Sequence, residues 1–208
     1  MSISTMLAQQ QRQQQITTTD RGLRQAMSGE IVFASVTDAV TWAEEWTRRP
    51  DCGSQIGRLM RKYGTGDLTR QEVIDIAQTI SVITAQCEPP TGVAMKCVYG
   101  GYDMDRDIAL GETIGAHLAE REPGRRKPRE KLNKLGHVTI KAERAWELYG
   151  DRYPYARMAH DIGVSRQQFR KGIHWPELLH QARELLRAWL DRAIRQIGQA
   201  LRDRGWLA

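Results

Sequence analysis

The chain has 208 residues, 40% hydrophobic and 27% charged, with six Trp and a net charge of +6. That is core material for one or two small domains, and it excludes a chain too polar to fold. No apolar run approaches the roughly 20 residues of a membrane helix. The segment 1–15, MSISTMLAQQQRQQQ, also lacks the basic-then-apolar layout of a secretory leader, so a cytoplasmic protein with no membrane partner is expected.

Charge is unevenly spread. From Arg121 to the end, 20 Lys and Arg face 10 Asp and Glu, whereas the first 120 residues carry 11 against 15. A basic second half suits a polyanion, because neutralising phosphates releases counterions and supplies affinity. The acidic first half suits a protein contact, and solubility alone is the plain alternative for both. Cys52, Cys87 and Cys97 match neither a disulfide framework nor a CxxC-type zinc pattern, which leaves ordinary reduced thiols.

Residues 1–35 read as a flexible Gln-rich arm. Gln9 to Gln15 is broken only by Arg12, and such a tract buries too little apolar surface to offset its ordering entropy. Residues 36–120 read as a helical, acidic protein-contact region. Val40, Trp42, Ala43 and Trp46 predict a helix over 37–49, with both Trp on one face. Ile56, Leu59 and Met60 predict a short helix over 54–63. Thr69 with Glu72 fits a capping box, and Val73, Ile76, Ala77, Ile80, Ile83 and Ala85 then keep a helical rhythm until Pro89. Thr91 is placed to cap a short helix over 92–99, ended by Gly100 and Gly101. Another helix is predicted over 105–121, centred on Ile108, Ile114 and Leu118.

Residues 121–137 differ in kind. The run REPGRRKPREKLNKLG over 121–136 holds seven basic residues, two prolines and two glycines, which predicts a basic linker. Its Arg125, Arg126 and Lys127 are candidates to follow a phosphate backbone. Residues 138–208 read as a DNA-binding region. A helix over 138–149 carries Ile140, Ala145, Trp146 and Leu148. A long amphipathic helix over 176–204 has Pro176 in its first turn. Its stripe of Leu179, Ala182, Leu186, Trp189, Ala193, Ile197 and Leu201 suits either its own core or the seam of a homodimer. No segment alternates as a strand does, so the expected fold class is all-α.

Between those two helices lies Tyr155-Ala-Arg-Met-Ala-His-Asp-Ile-Gly-Val-Ser-Arg-Gln-Gln-Phe-Arg-Lys171, with the steric pattern of a helix-turn-helix. Ala159 is small enough for close helix approach. Four residues on, Gly163 tolerates a left-handed turn. Met158, Ile162, Val164 and Phe169 fall where apolar residues lock the two helices, and Ser165 is placed to cap the second. Arg166, Gln167, Gln168, Arg170 and Lys171 are left facing outward. Arg can bond guanine O6 and N7, and Gln can bond adenine N6 and N7; Arg and Lys also hold phosphates. Arg157 and Arg152 precede them, within reach of flanking backbone. A plain helical corner is the bland alternative.

Catalytic chemistry is not indicated. GxxxxGK[ST], HExxH and GxSxG are absent from the sequence, so a non-enzyme without cofactor or metal is expected. Asp103, Asp105 and Asp107 suit a helix N-terminus complementing the dipole better than a Mg²⁺ site. His160 and His174 read as surface or capping residues. A faint echo pairs Tyr99-Gly100 and Ile108-Ala109 with Tyr149-Gly150 and Met158-Ala159, but Thr113 stands where Gly163 would be required.

The order of features resembles one family. Trp42-Ala-Glu-Glu-Trp46 in an amphipathic helix precedes an Ile-rich helix and a segment ending in Val98-Tyr99-Gly100. A sigma-factor-like helix-turn-helix and a terminal amphipathic helix follow. This arrangement resembles the late-gene antiterminators, or Q proteins, of lambdoid bacteriophages, over about residues 38–100 and 150–190. The chain departs from that pattern in three ways: about 50 residues separate Tyr99-Gly100 from the helix-turn-helix, the Gln-rich arm is extra, and the cysteines of a zinc site are missing. The resemblance implies a helical N-terminal part, a sigma-region-4-like DNA-binding unit and action in the host bacterial cytoplasm. It implies double-stranded DNA near a late promoter, and RNA polymerase with its sigma factor, as partners. The polymerase would then read through terminators. A simple activator or repressor, and a phage adaptor using the same unit for protein contact, are the alternatives.

Overall fold

The computed structural model describes residues 32–48, 69–121, 128–171 and 174–207. These form eight α-helices. Among the described residues the only pairing of β type is one parallel bridge, Phe33 with Leu207, so the chain is all-α. No helix among them is long and apolar enough to cross a membrane. The arm up to residue 31, the helix predicted over 54–63, and Arg125, Arg126 and Lys127 lie outside the described residues.

Two compact units divide the chain. The first contains α1 (Val36–Arg48), α2 (Arg70–Gln86) and the residues from Ile194 onward. Ser35 opens α1: its Oγ accepts from Asp38 N at 3.0 Å and donates to Asp38 Oδ2 at 2.7 Å. Trp42 and Trp46, 6.0 Å apart, are both 2% exposed, and Phe33 meets Trp42 edge-on at 5.3 Å. Phe33 is thus buried where the arm over 1–35 was expected to be flexible. The capping box forms as read. Thr69 N donates to Glu72 Oε2 at 2.7 Å and Glu72 N to Thr69 Oγ1 at 3.3 Å, and the Thr69 bonds hold the Glu72 carboxyl below its ordinary pKa.

The second unit runs from Cys87 to Ala193. It holds α3 (Thr91–Tyr99), α4 (Met104–Arg121), α5 (Arg129–Tyr149), α6 (Tyr155–Ile162), α7 (Arg166–Lys171) and α8 (Trp175–Arg202) as far as Ala193. Helices α4 and α5 run antiparallel. α4 buries Asp107, Leu110, Gly111, Ile114, Gly115 and Leu118, a spacing of threes and fours. At Gly111 and Gly115 the two backbones touch: a Cβ would lie 2.9 Å from His137 N or 2.8 Å from Asn133 N, and Gly136 faces the Gly111 carbonyl. Beyond this crossing, Arg144 of α5 reaches Asp107 of α4 at 2.5 Å and donates from Nε to the Cys97 carbonyl of α3 at 2.6 Å. Glu143 accepts from Arg187 of α8 at 2.7 Å, and Tyr99 Oη donates to Glu147 at 2.9 Å. Burial, with the Glu147 charge and hydrogen bond, pushes the Tyr99 phenol well above its ordinary pKa.

Several expectations are corrected here. The basic linker over 121–137 is helical from Arg129, not from 138, because Leu132, Leu135, Val138 and Ala142 continue one buried stripe. The regions 36–120 and 138–208 are not the compact units: the glycine crossing and the Asp107–Arg144 pair join residues 87–121 to α5. Thr91 does not cap α3. Pro90 stands at the cap, and the Thr91 hydroxyl donates back to the Glu88 carbonyl. Ile108 and Trp146, apolar positions of the helices predicted over 105–121 and 138–149, are 38% and 48% exposed, since α4 turns its Asp107–Leu110–Ile114 side inward and the last turn of α5 projects. α4 passes through Thr113 unbroken, so no second turn follows the Tyr99-Gly100 echo. Of the two uses open to the α8 stripe in the sequence, core or dimer seam, the first is seen: Leu179 to Leu201 are buried in the chain's own fold.

Candidate nucleic-acid interface

Helix α6 begins after Pro154, which is extended and carries no side-chain cap. Met158, Ala159 and Ile162 form its inner face, each 2% exposed or less. At Gly163 the chain turns with φ 77° and ψ 41°. Gly163 N donates to the His160 carbonyl at 2.9 Å and Val164 N to the Ala159 carbonyl at 3.0 Å. That pair of bonds is a Schellman close, with glycine in the left-handed position. A Cβ there would meet nothing within 4 Å, so the glycine is required by the dihedral rather than by space. From α5, Lys131 Nζ donates to the Gly163 carbonyl at 3.3 Å.

Ser165 then caps α7 reciprocally. Its Oγ accepts from Gln168 N at 3.1 Å while its own N–H donates to Gln168 Oε1 at 3.0 Å. Phe169, 1% exposed, anchors α7 and packs on the Tyr155 ring at 6.0 Å. Arg166, Gln167, Gln168, Arg170 and Lys171 are all exposed. At 100° per residue, Gln167 and Lys171 lie nearly opposite Phe169, Gln168 and Arg170 about 100° from it, and Arg166 about 60° from it. Gln168 is turned back to its cap, so the structure separates it from the four residues it was read with. An open cavity of about 460 Å³ beside α7 is lined by Tyr155, Ala156, Arg166, Phe169, Arg170 and Pro176.

Flanking groups are fixed in different degrees. Arg157 is exposed, with its guanidinium 5.4 Å from the Tyr153 ring centre; Arg152 lies exposed in the extended segment before α6. Tyr153 Oη donates to Asp161 Oδ2 at 2.7 Å, and Lys141 Nζ sits 3.6 Å from the same carboxylate. Burial, reinforced by the Asp161 bond and charge, pushes the Tyr153 phenol up to about 12. Burial also raises Asp161, but the bonds from Tyr153 and His160 and the Lys141 charge outweigh it and hold the carboxyl below its ordinary value. His160 is 89% exposed on the side chain. His174 Nδ1 lies 3.1 Å from Glu177 at the start of α8.

Lys131, Lys134 and Lys141 do not stand out in the sequence as site residues. They lie along α5 beside α6, and reading 121–137 as a linker hid the helix that aligns them. The spacing of Leu132, Leu135, Val138 and Ala142 was the signal available. Among the described residues, no group of three or more His, Cys, Asp or Glu gathers as a metal site. Asp103 caps α4 through Arg106 N at 3.1 Å, Asp105 is exposed and Asp107 is buried on Arg144. Burial, with the Asp107 charge, pushes the Cys97 thiol far above its ordinary pKa, away from thiolate chemistry. No family model, no curated protein and no solved structure matches this chain.

Proposed function

We propose that the chain binds double-stranded DNA through α7 and regulates transcription, as a Q-like antiterminator working on bacterial RNA polymerase and its sigma factor. One observation carries the DNA-binding part. A left-handed turn at Gly163 sets a capped helix on which Arg166, Gln167, Arg170 and Lys171 are all exposed while Phe169 is its buried anchor. A helix with its side chains is about 10–12 Å across, which matches a major groove about 12 Å wide. In this reading Arg166 and Gln167 bond base edges, and Lys171, Arg170, Arg157 and Arg152 hold phosphates. Antitermination rests on the sequence resemblance. The Trp42–Trp46 face is spent on the core, so a polymerase contact in the first half uses other residues.

DNA binding is tested by fluorescence anisotropy on a duplex selected from a random pool. Arg166→Ala and Gln167→Ala are expected to lose about 1–3 kcal/mol on that duplex and to relax its sequence preference. Lys171→Ala is expected to weaken all duplexes alike. Parent-like binding by both Arg166→Ala and Gln167→Ala would remove α7 from the interface. Readthrough of a terminator by purified bacterial RNA polymerase separates the forms of regulation. An antiterminator raises it, whereas a simple activator or repressor leaves it unchanged while still binding DNA.

A further inference from the structure

We infer that a crevice between α5 and α6 seats a backbone phosphate of the same duplex, gripping the DNA beside the groove that α7 enters. The inference rests on the DNA-binding reading of α7 and adds a second contact to it. The crevice has a volume of about 310 Å³ and is lined by Lys134, His137, Val138, Lys141, His160 and Asp161. On α5, Lys134, His137, Val138 and Lys141 stand at i, i+3, i+4 and i+7, one stripe of a helix. Val138, 2% exposed, is the apolar floor, and the two ammonium groups stand at either end of the stripe. His160 of α6 closes the other side, 89% exposed on its side chain. Lys131 extends the row by three residues to the turn itself, where its Nζ touches the Gly163 carbonyl at 3.3 Å.

The chain path keeps the near end of the lysine row, at Lys131, close to α7. Three residues separate Gly163 from Arg166, a span of at most about 11 Å for extended chain. A major groove is about 12 Å wide. In this arrangement, DNA that takes α7 into its groove lays one lip of that groove along the lysine row, from Lys131 towards Lys134 and Lys141. The carboxylates nearby do not close the seat. Glu130, 75% exposed, pairs with the 47% exposed Lys134 at 2.6 Å, and an exposed pair of that kind is weak and exchangeable. Asp161 is occupied by Tyr153 Oη at 2.7 Å and is shared with Lys141 at 3.6 Å, which holds that ammonium beside the crevice. Phosphate contacts set the register of a protein on DNA without reading sequence, so this seat supplies affinity and orientation while α7 supplies preference.

The test uses the full chain and the selected duplex, with Lys134→Ala, Lys141→Ala, their double variant, and Lys134→Arg with Lys141→Arg as the charge-keeping control. Anisotropy is read across a salt series. Each phosphate contact contributes about 0.9 to the slope of log K against log salt, so the double variant is expected to flatten the slope by about that amount. It should keep the ratio of selected to scrambled duplex, and the Arg pair should restore the slope. A scan of single neutral methylphosphonates along each strand adds a second reading. One position should weaken the parent and leave the double variant unaffected. Thermal melting checks that the variants are folded, and a Lys134→Gln, Lys141→Gln pair, which removes the charge but keeps polar side chains, carries the test if the Ala pair is not. An unchanged slope in the folded double variant, or no methylphosphonate position that distinguishes it from the parent, overturns the phosphate seat while leaving α7 intact. A parent that binds no duplex overturns both readings at once.

Discussion

Helices α4 and α5 are joined along their length: two backbones in contact at Gly111, Gly115 and Gly136, then a buried ion pair between Asp107 and Arg144 that also takes up the Cys97 carbonyl. Helices α6 and α7 meet over one turn. A left-handed glycine, a reciprocal Ser165–Gln168 cap and the single buried ring of Phe169 are what set α7 in place. The first pair has buried charge and no slack. The second has short local bonds and an exposed cationic side. The difference teaches that rigidity is placed in α4–α5 and chemistry on α7, so damage to the two should read out differently, as lost folding in one and lost binding in the other.

The largest expected effect comes from the ion pair. Arg144→Ala leaves Asp107, fully buried, without its cation, and breaking a buried pair in this way costs about 3–5 kcal/mol. Urea unfolding should show it as a large drop in midpoint, and a cost below about 1 kcal/mol would mean that the pair is not what fixes α3, α4 and α5 together. Gly136→Ala comes next. Its methyl lands on the Gly111 carbonyl, and the overpacking should cost about 1–3 kcal/mol, exceeding the helix preference of Ala over Gly, about 1 kcal/mol. Gly163→Ala should be milder. Nothing lies within 4 Å of the added methyl, so only the left-handed dihedral is charged, about 1–2 kcal/mol. Gly163→Asn should recover much of that, because Asn enters the left-handed region more readily. If Gly163→Ala destabilises as much as Gly136→Ala, the contrast between a space-limited and a dihedral-limited glycine fails.

The same contrast explains what was legible in the sequence. A turn between short helices imposes local requirements at fixed offsets, and Ala159, Gly163, Ser165 and Phe169 meet them within eleven residues. The glycine, the cap and the buried ring are therefore readable in the sequence alone, as is the box of Thr69 and Glu72. The α4–α5 crossing depends on residues 18 to 26 apart, Gly115 with Asn133 and Gly111 with His137. Gly111 and Gly115 look like weak points in a helical pattern until Gly136 and Asn133 are placed against them. Gly136 itself, among seven basic residues, pointed to a linker. Asp107 read as one of three first-turn acids, because nothing local distinguishes the one that will meet Arg144. The α8 stripe was compatible with core or dimer seam, and only its burial along the whole length decides between them.

The smallest effect sharpens the comparison at the place where α6 is tied to the scaffold. Asp161, with a side chain 19% exposed, accepts from Tyr153 Oη and neighbours Lys141 of α5. Its carboxyl is held below the ordinary 3.8, so its ionised form is favoured by folding. The sign follows from that depression. The contribution is complete above the unfolded value and fades as pH falls through the folded one. Parent and Asp161→Asn should then differ in melting temperature by a constant amount above about pH 5 and converge as the pH drops below about 4. The gap should be small beside that for Arg144→Ala, because the carboxylate is partly solvated and Tyr153 keeps an acceptor in Asn. A gap that widens on acidification would reverse the sign of the shift. No gap at any pH would leave α6 held by Met158, Ile162 and the Gly163 turn alone. In that case Arg166→Ala binding should stay insensitive to Asp161→Asn, since α7 would take its position from the turn and not from the α5 tether.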